Sequence, residues 1–415
     1  MKFSTFADKL ANQSGIGLLM DDLGDALRPG RQVHMLGGGN PAQIPDVQAV
    51  FRKNIENMLK NGTTFDQSIS NYDPPQGNPD FRSALAGMLT RQFGWNITAD
   101  NIALTNGSQH AFFLLFNMFA GPFADGINRK ILFPLAPEYI GYSDAGLTED
   151  LFESAMPSIE TIDEVFFKYH IDFDKLNISD QIGAVCVSRP TNPTGNVLTD
   201  QEIAKLAAMA KDRKIPLLID NAYGSPFPNI LFTEITPYWD ENTIVCMSLS
   251  KLGMPGTRTG IVVASEEVTH RIARMNAIIS LAPGGIGTAM ATELVKNGDI
   301  LNLSRQTIAP FYEEKKNIAL ELFQKHLGHL GVCLHKPEGT FFLWLWFKNL
   351  PMTSQNLYQQ LKELGVIVVP GHYFFFGLKE PHPHANQCLR INYSQDAHSV
   401  ETAFKIIAHI LRQSE

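Results

Sequence analysis

The stretch GAVCVSRPTNPTG, residues 183–195, decides the fold. Residues 183–187 are apolar without alternation, and Ser188, Arg189, two prolines and Gly195 end the run abruptly. A short run of this kind, bounded by turn residues, predicts a strand buried on both faces, as in a parallel sheet. Working outward, similar runs occupy residues 102–105, 130–133, 216–219, 244–247 and 260–264. Helical patterns lie between them. In residues 201–212, Ile203, Leu206, Ala207 and Ala210 share one face, and Thr199 with Glu202 forms a capping-box pattern at the start. QHAFFLLFNMF, residues 109–119, is apolar nearly all round, which predicts a helix buried against the sheet. Strands alternating with helices predict an α/β fold with a mostly parallel central sheet.

A chain of 415 residues suggests two domains. The character changes near residue 310. A charged helical stretch at 312–326 leads to short strand-like runs at 332–335 and 340–346, and an amphipathic helix at 400–411 follows. The expected division is a large α/β domain over 46–310 and a smaller α+β domain of 311–415 joined by an N-terminal arm, 1–45. A formal net charge of -8 opposes a nucleic-acid partner, which needs a basic face for phosphates. No run reaches the roughly 18–20 apolar residues of a membrane span, and the N-terminus lacks the apolar core of a secretory signal. Cys186 and Cys246 sit inside apolar runs and no CxxC occurs, so free buried thiols in a cytoplasmic protein are expected. Metal-ligand spacing such as HExxH is lacking, and His382 with His384 in EPHPHAN reads as a solvated loop, so no metal site is expected.

The unusual residues follow the strands, where ligands bind in open α/β sheets. Asn106-Gly107-Ser108-Gln109 opens a helix, and free N–H groups with the helix dipole favour an anion there. Lys251 comes directly after an apolar run. It reads either as a lysine snorkelling at the sheet edge or as an amine in a partly desolvated pocket, a better nucleophile toward an aldehyde. Ser248, Ser250 and Arg258 can add donors to the same anion. Asp220 ends another apolar run and needs a partner, either a pyridinium N–H or a structural one. Tyr223 and Asn192 can both reach a phenolic oxygen on such a ring.

Taken in order, NYDPPQG (71–77), TNGSQ (105–109), PEYIGY (137–142), RPTNPTGN (189–196), DNAYG (220–224), SLSK (248–251) and Arg390 in CLRINY resemble the class I/II aminotransferases, pyridoxal-phosphate enzymes of fold type I. The set spans most of the chain. The resemblance implies that Lys251 carries pyridoxal 5'-phosphate as a Schiff base and moves the proton at the substrate α-carbon. It implies that Asp220 pairs with the pyridine nitrogen, that Asn192 and Tyr223 bind the ring oxygen, and that Tyr139 stacks on the ring. A phosphate site of Gly107, Ser108, Gln109, Ser248, Ser250 and Arg258 follows, completed by Tyr72 from the partner of a homodimer. Arg390 is expected to grip the substrate α-carboxylate with both prongs, Asn192 assisting and Gly38 or Gly39 lining the pocket. One departure stands out: the family often places its phosphate arginine eight residues after the lysine, and Arg258 comes seven after Lys251.

LGGGNPAQIP (36–45), SLAPGGIG (280–287), KPEG (336–339) and FLWLWFK (342–348) resemble a subgroup acting on valine and alanine, with pyruvate and 3-methyl-2-oxobutanoate as 2-oxo acids. The expected reaction is ping-pong transamination of small or branched apolar amino acids. The uncharged segment 275–287 suits an apolar side chain, since dicarboxylate-specific relatives need a second cation. A carbon–sulfur β-lyase using the same lysine and aspartate is the nearest alternative. A regulatory, DNA-binding module would need a further helix-turn-helix domain, and the acidic charge opposes it. GGIG at 284–287 does not follow a strand as a dinucleotide fold requires.

Overall fold

The computed structural model describes residues 1–11, 15–26, 33–60, 62–349 and 351–413. Parts of the expected arm (12–14 and 27–32) and the last two residues of the expected second domain lie outside them. The central sheet has the order Ile102–Thr105, Gly260–Val263, Thr243–Ser248, Leu217–Asp220, Ile182–Ser188, Asn128–Phe133, Gly121–Pro122. Phe152–Ser154 also pairs with Asn128–Phe133. The four strands from Asn128–Phe133 to Thr243–Ser248 run parallel. Ile182–Ser188 and Thr243–Ser248 are buried at every position, which is why their sequences show no alternation.

The helix Asp200–Asp212 makes the crossover between Ile182–Ser188 and Leu217–Asp220. Its start is the expected capping box: the Glu202 N–H donates to Thr199 Oγ1 at 3.1 Å, and the Thr199 N–H to the Glu202 carboxylate at 2.8 Å. Removing such a cap costs about 1 kcal/mol. Gly260–Val263 departs from the parallel pattern and is antiparallel to both neighbours. Its link from Ser248 holds only the 3₁₀ turn Pro255–Thr257, and a parallel return needs about a dozen residues and usually a helix.

The second sheet has the order Val369–Pro370, Cys388–Asn392, Phe342–Phe347, Val332–His335, Phe166–His170, Ser158–Thr161. The hairpin at 158–170 therefore belongs to this sheet, although the expected division places it within 46–310. Its pairing partner is Val332–His335, far along the chain, and a local strand pattern does not reveal that choice. His34–Met35 also reaches across, pairing with Val366–Ile367. The helices Ala309–His326 and Ala397–Gln413 lie together, with the Phe323 and Phe404 rings 6.2 Å apart.

A buried ion pair on the second sheet ties it to the segment that follows Ile182–Ser188. Lys168 meets Glu338 and also donates to Asn196 Oδ1 and the Val197 carbonyl, both at 3.0 Å. His384 corrects the expectation of a solvated loop: it is buried, meets the Tyr169 hydroxyl, and stands edge-on to Trp346 at 4.6 Å. Burial lowers its pKa to about 4. All four cysteines are free and buried. Among the described residues no helix is long and apolar enough to cross a membrane.

Candidate active site

Ser188, Asp220 and Cys246 lie side by side across three parallel strands. Asp220 accepts the Tyr142 hydroxyl at Oδ2 and the Ala222 N–H at Oδ1, the latter at 2.9 Å. Burial raises its carboxyl above the ordinary range, while the Tyr142 and Ala222 hydrogen bonds and the Lys251 charge pull it back.

Lys251 follows the next strand. Its Nζ donates to the Gly39 carbonyl at 2.6 Å and stands 5.4 Å from the Tyr223 ring centre. Burial lowers its pKa to about 8; Arg390 and Arg258 act in the same direction and Asp220 opposes them. Of the two readings the sequence leaves open, the pocket amine is the one observed. The neutral, reactive form grows as pH rises toward this pKa and saturates above it. Covalent capture of pyridoxal phosphate by the cofactor-free chain, followed by near-visible absorbance, is therefore expected to quicken with pH and level off above about 8. A rate still climbing at about pH 10, as for an unperturbed lysine, would contradict this environment.

Arg390 lies in Cys388–Asn392 and is almost wholly buried. Its Nη1 donates to Asn192 Oδ1 at 2.8 Å and its Nη2 to the Gly37 carbonyl at 2.5 Å. Phe342 lies 4.3 Å below the guanidinium and Phe374 lies 5.3 Å away. The Nε–H has no partner among the described residues. Burial lowers the pKa to about 10, partly offset by the Tyr223 and Tyr139 phenols. The glycine loop thus offers three consecutive carbonyls: Gly37 to Arg390, Gly38 to Asn392 at 2.7 Å and Gly39 to Lys251.

The anion side is built where the helix Ser108–Phe119 begins. Gly107, in the left-handed region at φ 93°, leaves room for the Arg258 guanidinium, whose Nη2 would stand 2.3 Å from a Cβ there. Ser108 lies in the first turn and Ser250 lies beside Lys251. Two expected phosphate ligands are differently engaged. Ser248 is buried, donating to the Thr259 carbonyl at 3.3 Å and accepting the Ser250 N–H at 3.0 Å. The Gln109 amide donates to the Gly141 carbonyl at 2.6 Å. The Tyr139 ring stands edge-on to Tyr142 at 5.1 Å; burial raises its phenol pKa, with Asp220 adding and Arg390 and Arg258 opposing.

Tyr72 stands apart from this cluster in the single chain. It is 82% exposed and lines an open groove of about 1060 Å³ with Asp73, Gly285 and Glu293. Within one chain the 275–287 segment meets the anion side only near its end, where the Gly284 N–H donates to Asn106 Oδ1 at 3.0 Å; Ile278, Ile279 and Leu281 face outward where the helix Glu266–Ile279 ends. Sequence reasoning missed Tyr142, Asn392 and Glu138. Tyr142 was signalled only by its place three residues after Tyr139 in PEYIGY. Glu138 is buried, its carboxyl pushed up to about 8 by burial, with the Asp220 charge adding and hydrogen bonds from Ser188 and Tyr139 opposing.

The unpartnered Nε–H of Arg390, the cradle at Gly107 beside Arg258, and the strand-end carboxylate of Asp220 suit, respectively, a carboxylate, a phosphate and a protonated ring nitrogen. Pyridoxal phosphate with an amino acid carries all three, and Lys251 presents the amine its aldehyde requires. Fold and site together define a pyridoxal-phosphate-dependent enzyme. The chain belongs to the class I and II aminotransferases: the model of that family, "Aminotransferase class I and II", matches residues 35–407. It is 54% identical over 414 residues to the valine–pyruvate aminotransferase of Escherichia coli K12, covering 100% of this chain and 99% of that one. The crystal structure of valine–pyruvate aminotransferase from Salmonella typhimurium LT2 superposes with a TM-score of 0.89 at 51% identity, covering 96% and 99% of the two chains. Aspartate aminotransferase from Thermus thermophilus shares the fold alone, at 20% identity and a TM-score of 0.79, over 99% and 100%.

Proposed function

We propose that this aminotransferase moves the amino group of valine to pyruvate, giving 3-methyl-2-oxobutanoate and alanine in two half-reactions. The carrying observation is the Lys251 amine, held by Gly39 with a lowered pKa between Asp220 and Arg390. The names of the relatives above supply the substrates. Arg390 binds the α-carboxylate through its free Nε–H, with Asn192 sharing the guanidinium. Asp220 faces the cofactor's ring nitrogen, Asn192 and Tyr223 its ring oxygen, and Tyr139 covers one ring face. Gly107, Ser108, Ser250 and Arg258 hold the phosphate, with Ser248 and Gln109 bracing that wall. When bound, pyridoxal phosphate supplies an electron sink for charge developing at the substrate α-carbon. Lys251 takes the α-proton as a neutral amine and returns it, and Gly39 keeps that amine pointed into the pocket.

The enzyme works as a homodimer in this reading, with Tyr72 of each subunit completing the other's phosphate site. Its exposure, and that of Ile278, Ile279 and Leu281, leaves surface for a second copy. A cytoplasmic location suits the four free, buried thiols.

The test is the near-visible absorbance of the holoenzyme. L-valine is expected to abolish the band, and pyruvate to restore it with stoichiometric alanine. A band that ignores valine but answers another amino acid would overturn the substrate assignment and leave the chemistry. Because one methylene in an apolar pocket is worth only about 1–3 kcal/mol, activity on neighbouring aliphatic amino acids is expected to fall by roughly 10–200-fold at most per methylene.

A further inference from the structure

We propose that Glu138 is a positioning residue for amino transfer, fastening the turn that carries Tyr139 and Tyr142 to the strand end beside Asp220. The Ser188 N–H donates to Glu138 Oε1 at 2.9 Å, the Ser188 hydroxyl to Oε2 at 2.7 Å, and the Tyr139 N–H to Oε2 at 3.3 Å. Ser188 is the register partner of Asp220, and the Arg189 N–H donates to the Asp220 carbonyl at 2.8 Å. Glu138 also extends to the second domain. Its own N–H donates to the Phe374 carbonyl at 2.9 Å, and the Phe374 ring flanks the Arg390 guanidinium.

A carboxyl that is 3% exposed is costly to bury, and filling space would need only an apolar side chain. Three donors converging on it instead fix where the turn sits. Tyr142 reaches Asp220 from that turn, and Tyr139, bound to Glu138 through its N–H, stands edge-on to Tyr142 at 5.1 Å, so a shift of Glu138 displaces both. Glu138 touches neither substrate nor ring. It acts through Tyr139, Tyr142 and Asp220, and the inference rests on Asp220 facing the ring nitrogen.

The test compares holoenzymes of Glu138→Leu, Glu138→Gln, Ser188→Ala and Asp220→Ala. Leucine keeps bulk and loses every side-chain hydrogen bond, while glutamine keeps an acceptor and a donor toward Ser188. Glu138→Leu is expected to lower kcat about tenfold or more, since misplacement on the ångström scale costs up to about 10²-fold. KM for valine should stay within about threefold, because the Arg390–Asn192 contact is not made by Glu138. The near-visible circular dichroism of the bound cofactor, which reports ring orientation, should weaken in parallel. Glu138→Gln should restore both signals, and Ser188→Ala should show a smaller change in the same direction. Unchanged kcat and dichroism in Glu138→Leu would overturn the proposal. If that variant does not fold, an unchanged dichroism in Ser188→Ala overturns it instead. Asp220→Ala separates the two levels: if it too is silent, the ring-nitrogen assignment has failed, and if it alone responds, only the role of Glu138 has.

Discussion

Replacing Lys251 by alanine is expected to lower turnover of valine and pyruvate by at least about 10⁴-fold, the scale seen when a covalent catalytic group is removed. The fold should survive, because the side chain is only partly buried and, among the described residues, donates one hydrogen bond, to the Gly39 carbonyl. The variant should still bind pyridoxal phosphate through the Gly107–Arg258 cradle while losing the absorbance shift of the covalently held cofactor. Steady-state rates and spectra on one preparation check both. Residual activity above a few per cent, with the cofactor still covalently held, would transfer the role to another amine.

Asp220→Ala is expected to cost about 10³-fold in kcat, the range for removing a preorganised charge from the transition state. Cofactor affinity should drop as well. Alanine also strands the Tyr142 hydroxyl, which donates to Asp220. Asp220→Asn, which keeps an acceptor, therefore separates charge from hydrogen bonding. Equal losses in both variants assign the effect to charge. A mild asparagine variant would mean that Asp220 mainly seats Tyr142.

The strand positions were legible because burial on both faces removes alternation, as in 183–187 and 244–247. The helix start at Thr199 was legible because a capping box is local chemistry. Lys251 and Asp220 stood out as charged groups at the ends of apolar runs and Arg390 only through the resemblance; in the structure Lys251 and Arg390 are gripped by carbonyls of one glycine loop. What stayed hidden depends on distant partners. The hairpin at 158–170 joins a strand more than a hundred residues on, and the direction of Gly260–Val263 depends on the path of its connection. Ser248 reads as a free hydroxyl until the carbonyl of Thr259 folds over it. Glu138 carries no signal of its own in PEYIGY, and only the arrival of Ser188 from another strand explains its burial. The apolar segment 275–287 suggested a pocket wall, yet apolar surface also serves contact with a neighbour, and Ile278 and Ile279 point outward.

The three carbonyls of Gly37, Gly38 and Gly39 accept from Arg390, Asn392 and Lys251 through main-chain atoms alone. Systematic replacement of side chains therefore cannot delete these acceptors one at a time. What the loop sets is spacing: inserting or deleting one residue is expected to move the grips on Arg390 and on Lys251 together. A library that randomises residue type across this segment would leave these acceptors in place, and one that varies its length would disturb Arg390 and Lys251 at once.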